Sequence, residues 1–451
     1  MIFIKFYIFF NQHSIYLNNS NIFGINFALI TLNKKFILKK TFLFLCLIFI
    51  TQFCFSQSNQ IDAKHIKTII FKPTKANSYV PIIKLGEKLI LSFDDLNADE
   101  HYYTYKIEHC TLNWDISELS ASEFINGYAE DRIRDYENSF NTLQPYTNYS
   151  LTIPNESSKI LISGNYMLSV LNENEQVVFK RGFVVYQPKV TIGVAIYKSR
   201  DISTINTKQS VEFTISHPNL RINNPSEELK PIILQNNNWK TAITGLKPQF
   251  YRGSQLLYKY NKETSFWGGN EFLYFDSKDI RSSTLNIATA ELGNELYHTY
   301  LYTNEERIDL PYTLSPDVNG NFIVRVLQGE NSNIDADYSW VHFSLKSYEN
   351  LDGKELYVSG NFNNWKLNEA NKFHYNTTTS LYEKRLLLKQ GFYNYQYVTK
   401  TKNGAISNHD IDGSFYQTEN DYTVIVYYTP FGSRYTQVIG VGNGNSEKIN
   451  N

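Results

Sequence analysis

Two pairs of adjacent carboxylates, Asp94–Asp95 and Glu130–Asp131, are the residues of this chain closest to an acid–base pair. Glycosidic hydrolysis needs two carboxyls held at a set separation across the scissile bond, and sequence adjacency does not provide it. Both pairs therefore read as solvated strand ends or turns. The nine histidines are scattered without metal-ligand spacing, so His217 and His298 read as surface or core-edge residues. The chain has no G-x-S-x-G elbow, H-E-x-x-H pair, G-x-x-x-x-G-K-[ST] loop or EF-hand spacing. No catalytic residue, metal or cofactor is expected, and nucleotide is not expected as a partner.

The tryptophans have the widest chemical reach. In "YVSGNFNNWK", Tyr357 to Lys366, a strand runs into a polar turn that delivers Trp365, either as a platform for a sugar ring or as a plug for the protein's own core. Trp114, Trp239, Trp267 and Trp365 are the candidate residues for a partner interface or for sugar stacking. Each can also be read as a core tryptophan, since Trp is highly buried on average. Cys110 stands alone once Cys46 and Cys54 are assigned to the leader described below, which leaves neither an intramolecular disulfide nor a cysteine zinc site. It reads as a small apolar residue on a strand, with His109 alternating to the opposite face.

The elements that must position these residues are strands. The chain has 34 Tyr and 30 Phe against 12 Pro and 22 Gly, a composition that favours pleated, half-buried surfaces. Its net charge of -1 and 19% charged residues carry no footprint for nucleic acid. Segments such as "IKTIIFKP", "KLILSFDDL", "HYYTYKIEHC" and "FVVYQP" alternate apolar and polar residues between turn signals. One stretch, "DISELSASEFINGYAEDRIRDYENSF", suits one or two short helical turns.

Boundaries follow the polar breaks. Lys34, Lys35, Lys39 and Lys40 precede an apolar run from Phe42 to Phe55, and Ser56 closes it, which is the layout of a secretory signal peptide. That run is 14 residues long, short of the roughly 20 that a spanning helix needs. Residues 1–56 are thus expected to be a leader with its signal at about 34–56, and the mature chain to begin near Gln57. Pro188 and the polar joint "SLKSYENLDGK" then divide three blocks, 57–187, 188–346 and 347–435, with a disordered tail at 436–451. Short strands with turns every ~8–12 residues suit an all-β chain of tandem immunoglobulin-like or early-set β-sandwiches.

In the third block, "GNFNNW", "LYEKRLLLKQGFYNYQYV" and "NHDIDGSF" resemble the glycogen-binding module of AMP-activated-kinase type and related early-set domains. That family stacks sugar rings on two tryptophans, with a lysine and an asparagine as hydrogen-bond partners. Trp365 matches the first tryptophan. Gln396 replaces the lysine, and "KNGAIS" holds no second tryptophan, so the resemblance supports the fold and disfavours carbohydrate binding.

A wider resemblance begins in the first block. The C-x-x-x-W of Cys110 to Trp114, SEF-x-x-G of Ser122 to Gly127, SFNT of Ser139 to Thr142, Y-x-x-Y of Tyr146 to Tyr149 and SGNY of Ser163 to Tyr166 are similar to the first domain of the type IX secretion system plug protein family. Together with "NNNW", "YRGSQLLYKYN" and "GNFNNW", the resemblance extends over residues 60–430. It implies a non-enzymatic protein of Bacteroidota-type bacteria, exported to the periplasm and associated with the outer membrane. Its partner would be a large outer-membrane β-barrel translocon, whose pore it seals. The rival expectation is an α-glucan-binding protein of the cell envelope.

Overall fold

In a computed structural model, residues 62–75, 78–347, 351, 353–447 and 449 are described. The expected leader, with Cys46 and Cys54, lies outside them. The chain is nearly all β, built as tandem β-sandwiches with a few short helical turns.

The first sandwich faces a sheet of Ile66–Pro73, Leu89–Asp95, Thr147–Ile153 and Asp135–Asn138, in that spatial order, against a second sheet. The second sheet runs Ile82–Lys84, Val177–Tyr186, Gly164–Leu171, Thr104–Cys110 and Glu130–Arg132. Alternation decides what lies between them. Phe93 stacks on Tyr149 at 5.2 Å and meets Phe179 edge-on at 5.1 Å, while Phe71 and Tyr166 close on Phe183. Such aromatic pairs add roughly 0.5–1.5 kcal/mol each beyond the area they bury. The stretch expected to hold helical turns contains one, Ala121–Phe124, capped by Ser120 and Glu123, and then three short strands.

The remaining two sandwiches are not sequential. One sheet of the second is Thr191–Lys198, Lys208–Ser216, Gln255–Tyr258 and Phe250–Arg252, with Ser265–Trp267 also paired to Lys208–Ser216. Its other sheet joins Leu229–Gln235 to Asp421–Tyr428 and Gln437–Asn445, close to the end of the chain. The third sandwich is inserted between these halves. Its sheets are Leu273–Asp276, Gly391–Lys400 and Phe322–Val324, extended by Glu355–Ser359 and Ile406–Ser407, and Ile287–Leu292, Tyr297–Leu301, Tyr338–Lys346, Leu381–Lys389 and His374–Asn376.

Two expectations are corrected here. The blocks 188–346 and 347–435 do not close separately, because Tyr338–Lys346 pairs with Leu381–Lys389 across the presumed joint and Leu229–Gln235 pairs with Asp421–Tyr428. Alternation identifies a strand and its buried face, but says nothing about which distant strand it pairs with. The expected disordered tail at 436–451 contains the strand Gln437–Asn445, with Val438 and Ile439 fully buried. The segment reads as disordered because it is poor in apolar residues, yet its glycines permit close approach: a Cβ on Gly442 would sit 2.7 Å from Ile192 Cβ.

Candidate functional site at the junction of the sandwiches

Asp94 and Asp95 end the strand Leu89–Asp95, and both are fully buried, contrary to the solvated reading. Asp94 meets the third sandwich there, whereas Asp95 keeps its partner in the first. Lys389 Nζ lies 2.7 Å from Asp94 Oδ2, Tyr338 Oη donates to the same oxygen at 2.6 Å, and Asn148 Nδ2 donates to Oδ1 at 2.6 Å. Lys389 also donates to the Asn333 carbonyl and lies 4.0 Å from the centre of the Tyr146 ring. Burial pushes the Asp94 carboxyl up and the Lys389 ammonium down, and their pairing acts against both shifts. Asp95 accepts from Tyr103 Oη at 2.8 Å. Asp337 clamps the same junction by accepting from the Leu143 and Gln144 amides. Glu130 is exposed, and Asp131 pairs with Arg134.

The first and second sandwiches meet through Val184, Ile232, Leu234, Ile425, Tyr427 and Val438, with Trp114 and Trp239 packed against them. Tyr427 Oη donates to Asn165 Oδ1 at 2.7 Å inside this layer. Trp114 and Trp239 meet edge to face at 5.1 Å, one from each sandwich. Trp114 has φ +69 and lies over Gly182, where an added Cβ would come 2.6 Å from the indole.

Where all three sandwiches meet, a cavity of about 500 Å³ opens, and Trp114, Trp239 and Trp365 line it. The structure thus brings together three of the four expected tryptophans. Trp365 is 8% exposed, its indole 5.9 Å from Phe272 and pressed on Gly320, where a Cβ would sit 2.3 Å from Cη2. Lys240 Nζ donates to its carbonyl at 2.5 Å. These contacts hold Trp365 as a largely buried side chain packed on Gly320 and Phe272. Trp267 lies apart from the cavity, stacked on His409 at 4.1 Å with Lys208 Nζ 4.3 Å from its ring.

Other expected residues fall into structural places. Cys110 is buried, and burial with the nearby Glu108 carboxylate pushes its thiol up to about 11. His109 is buried beside Tyr166, which pushes its imidazole down to about 4. His217 is hydrogen-bonded to the Leu220 carbonyl, and His298 lies 2.9 Å from His342. Among the described residues no group of His, Cys, Asp and Glu could hold a metal ion, and no helix is long and apolar enough to cross a membrane. The Asp94–Lys389 pair was missed at the sequence level. Its one local signal was two carboxylates inside an apolar strand rather than after it.

Residues 66–187 match the family model described as "Type 9 secretion system plug protein 1st domain". No curated protein matches the chain. Among solved structures, a hypothetical protein from Parabacteroides merdae ATCC 43184 is 34% identical, with a TM-score of 0.83, covering 85% of this chain and 98% of that one. Trypsin-activated alpha-2-macroglobulin from Escherichia coli is 10% identical over 81% of this chain and 27% of that one, with a TM-score of 0.17.

Proposed function

We propose that this chain, which belongs to the same family as the Parabacteroides merdae protein and carries a type 9 secretion system plug protein first domain, is a non-enzymatic periplasmic plug. It binds the outer-membrane β-barrel translocon of that secretion system and seals the pore. The match of residues 66–187 to the plug first domain carries this reading. The junctions support it mechanically. A stopper must hold its shape across a wide opening, and three sandwiches tied by a buried ion pair and hydrogen-bonded tyrosines form a stiff body. The glucan-binding alternative loses its support with Trp365, whose ring is already occupied by Gly320 and Phe272.

The test is recovery of the tagged chain from detergent-solubilised envelope, with partners identified by mass spectrometry. Stoichiometric recovery of a very large β-barrel is the expected result. A chain recovered free of any barrel, under detergent that keeps other envelope complexes intact, would sink the plug reading.

A further inference from the structure

The cavity where the sandwiches meet has a feature that the plug reading does not use. Two of its walls are sheet edges. Ile66–Pro73 is an outer strand of its sheet and presents Ile69 to Lys72 to the cavity, while Phe322–Val324 is an outer strand of the third sandwich and lines the opposite part. An outer strand offers a row of main-chain N–H and C=O groups that its own sheet does not use, and native proteins blunt such edges unless something pairs with them. Neither segment is fully covered, since Ile69, Ile70, Lys72 and all three residues of Phe322–Val324 are half-buried. A bulge at Thr68, with φ +49, bends the strand just before the exposed stretch, and regular pairing with Leu89–Asp95 resumes at Ile70.

Charge on the walls is one-sided. Lys72, Arg181 and Lys240 line the cavity and no carboxylate does. Arg181 is paired with Asp62 outside it, whereas Lys240, which donates to the Trp365 carbonyl, has its pKa lowered by burial and then by the Lys366 and Lys400 charges. The edge-to-face indoles of Trp114 and Trp239 line the same cavity. The volume of about 500 Å³ lies within the range of preformed ligand pockets.

We propose that this cleft is a peptide-binding site, in which an extended acidic segment adds as a strand to the edge at Ile69 to Lys72, sets a carboxylate against Lys240 and Lys72, and seats an apolar side chain on Trp239. Main-chain pairing supplies affinity in this mode of recognition, and the side-chain subsites supply selectivity. Four residues of extended peptide span ~13 Å, the reach of the exposed edge. The site stands independently of the plug reading, because a chain that recovers no barrel can still select peptides.

The experiment is selection of a displayed random dodecapeptide library on the full chain, followed by titration calorimetry of synthesised winners. Enrichment of sequences rich in β-branched and aromatic residues, with Asp or Glu at one fixed position, is expected. The Lys240→Glu and Lys72→Glu chains should each bind winners at least tenfold more weakly, Lys72→Glu at the parent's thermal midpoint, and N-methylation at alternate peptide residues should abolish binding. Lys240 also donates to the Trp365 carbonyl, so Lys240→Glu is expected to cost stability as well, and Lys72→Glu is the variant in which affinity is read at constant fold. A selection that yields no binders, winners without a fixed acidic position, or winners bound equally by both Glu variants or after N-methylation would overturn the proposal.

Discussion

Lys389 reaches out of the third sandwich to within 2.7 Å of Asp94 in the first, with side-chain exposures of 1% and 0%. Each charge is out of water, so each depends on the other and on the hydrogen bonds from Tyr338 and Asn148. Removing one partner of such a pair strands the other, at a typical cost of about 3–5 kcal/mol. Lys389→Met is therefore expected to lower stability by about that much and to loosen the joint between first and third sandwiches. The Asp94→Asn/Lys389→Met double variant should recover part of the loss. Denaturant unfolding and limited proteolysis near Ser139–Tyr146 would check this, and a single variant within 1 kcal/mol of the parent would show that the pair does not hold the junction.

The strands and their buried faces were largely legible in the sequence, because alternation is a local signal. Three features were not. The return of Asp421–Tyr428 to pair with Leu229–Gln235 is a long-range pairing that leaves no trace in either segment. Asp94 looked solvated because its burial is created by another sandwich, and Asp95 because its partner Tyr103 comes from another segment of its own. Trp114, Trp239 and Trp365 were identifiable as large aromatic residues, yet their meeting in one cavity depends on how three sandwiches dock.

Trp365→Ala is expected to destabilise the protein by roughly 3–5 kcal/mol, the usual range for deleting a large buried aromatic side chain. Gly320→Ala should act on the same contact from the other side. Gly320 has φ +78 and its added methyl would meet the Trp365 indole, so backbone strain and overpacking combine. Retention on an α-glucan column should not change in either variant. Loss of glucan retention by Trp365→Ala at unchanged thermal midpoint would return this residue to a sugar-binding role.

Ending the chain at Phe431 removes the strand Gln437–Asn445, an edge of the second sandwich that lies against Ile192 and Val194. Exposing those side chains and Ile233's layer should produce an insoluble chain or a separate low-temperature unfolding step. Gly442→Val, which places a branched side chain where even a Cβ is 2.7 Å from Ile192, should reproduce the defect without shortening the chain. Calorimetric scans of both variants would show it, and a truncated chain melting as the parent does would mean the strand is dispensable.

Asp317 should make stability depend on pH. Burial, with the Glu271 and Glu419 carboxylates nearby, raises its pKa from 3.8 to about 7, against the Asn319 and Phe272 amides that donate to it. The folded state therefore holds a proton that the unfolded chain releases above 3.8, so this contribution is complete below that pH and disappears as pH rises through about 7. Asp317→Asn is permanently neutral and lacks that loss, although it gives up one acceptor. The variant is expected to be less stable than the parent near pH 5, with the gap narrowing or reversing at pH 8, where the parent must bury a carboxylate beside two others. Urea midpoints of both chains across that range would decide it, and a gap that stays constant with pH would mean that Asp317 is ionised throughout.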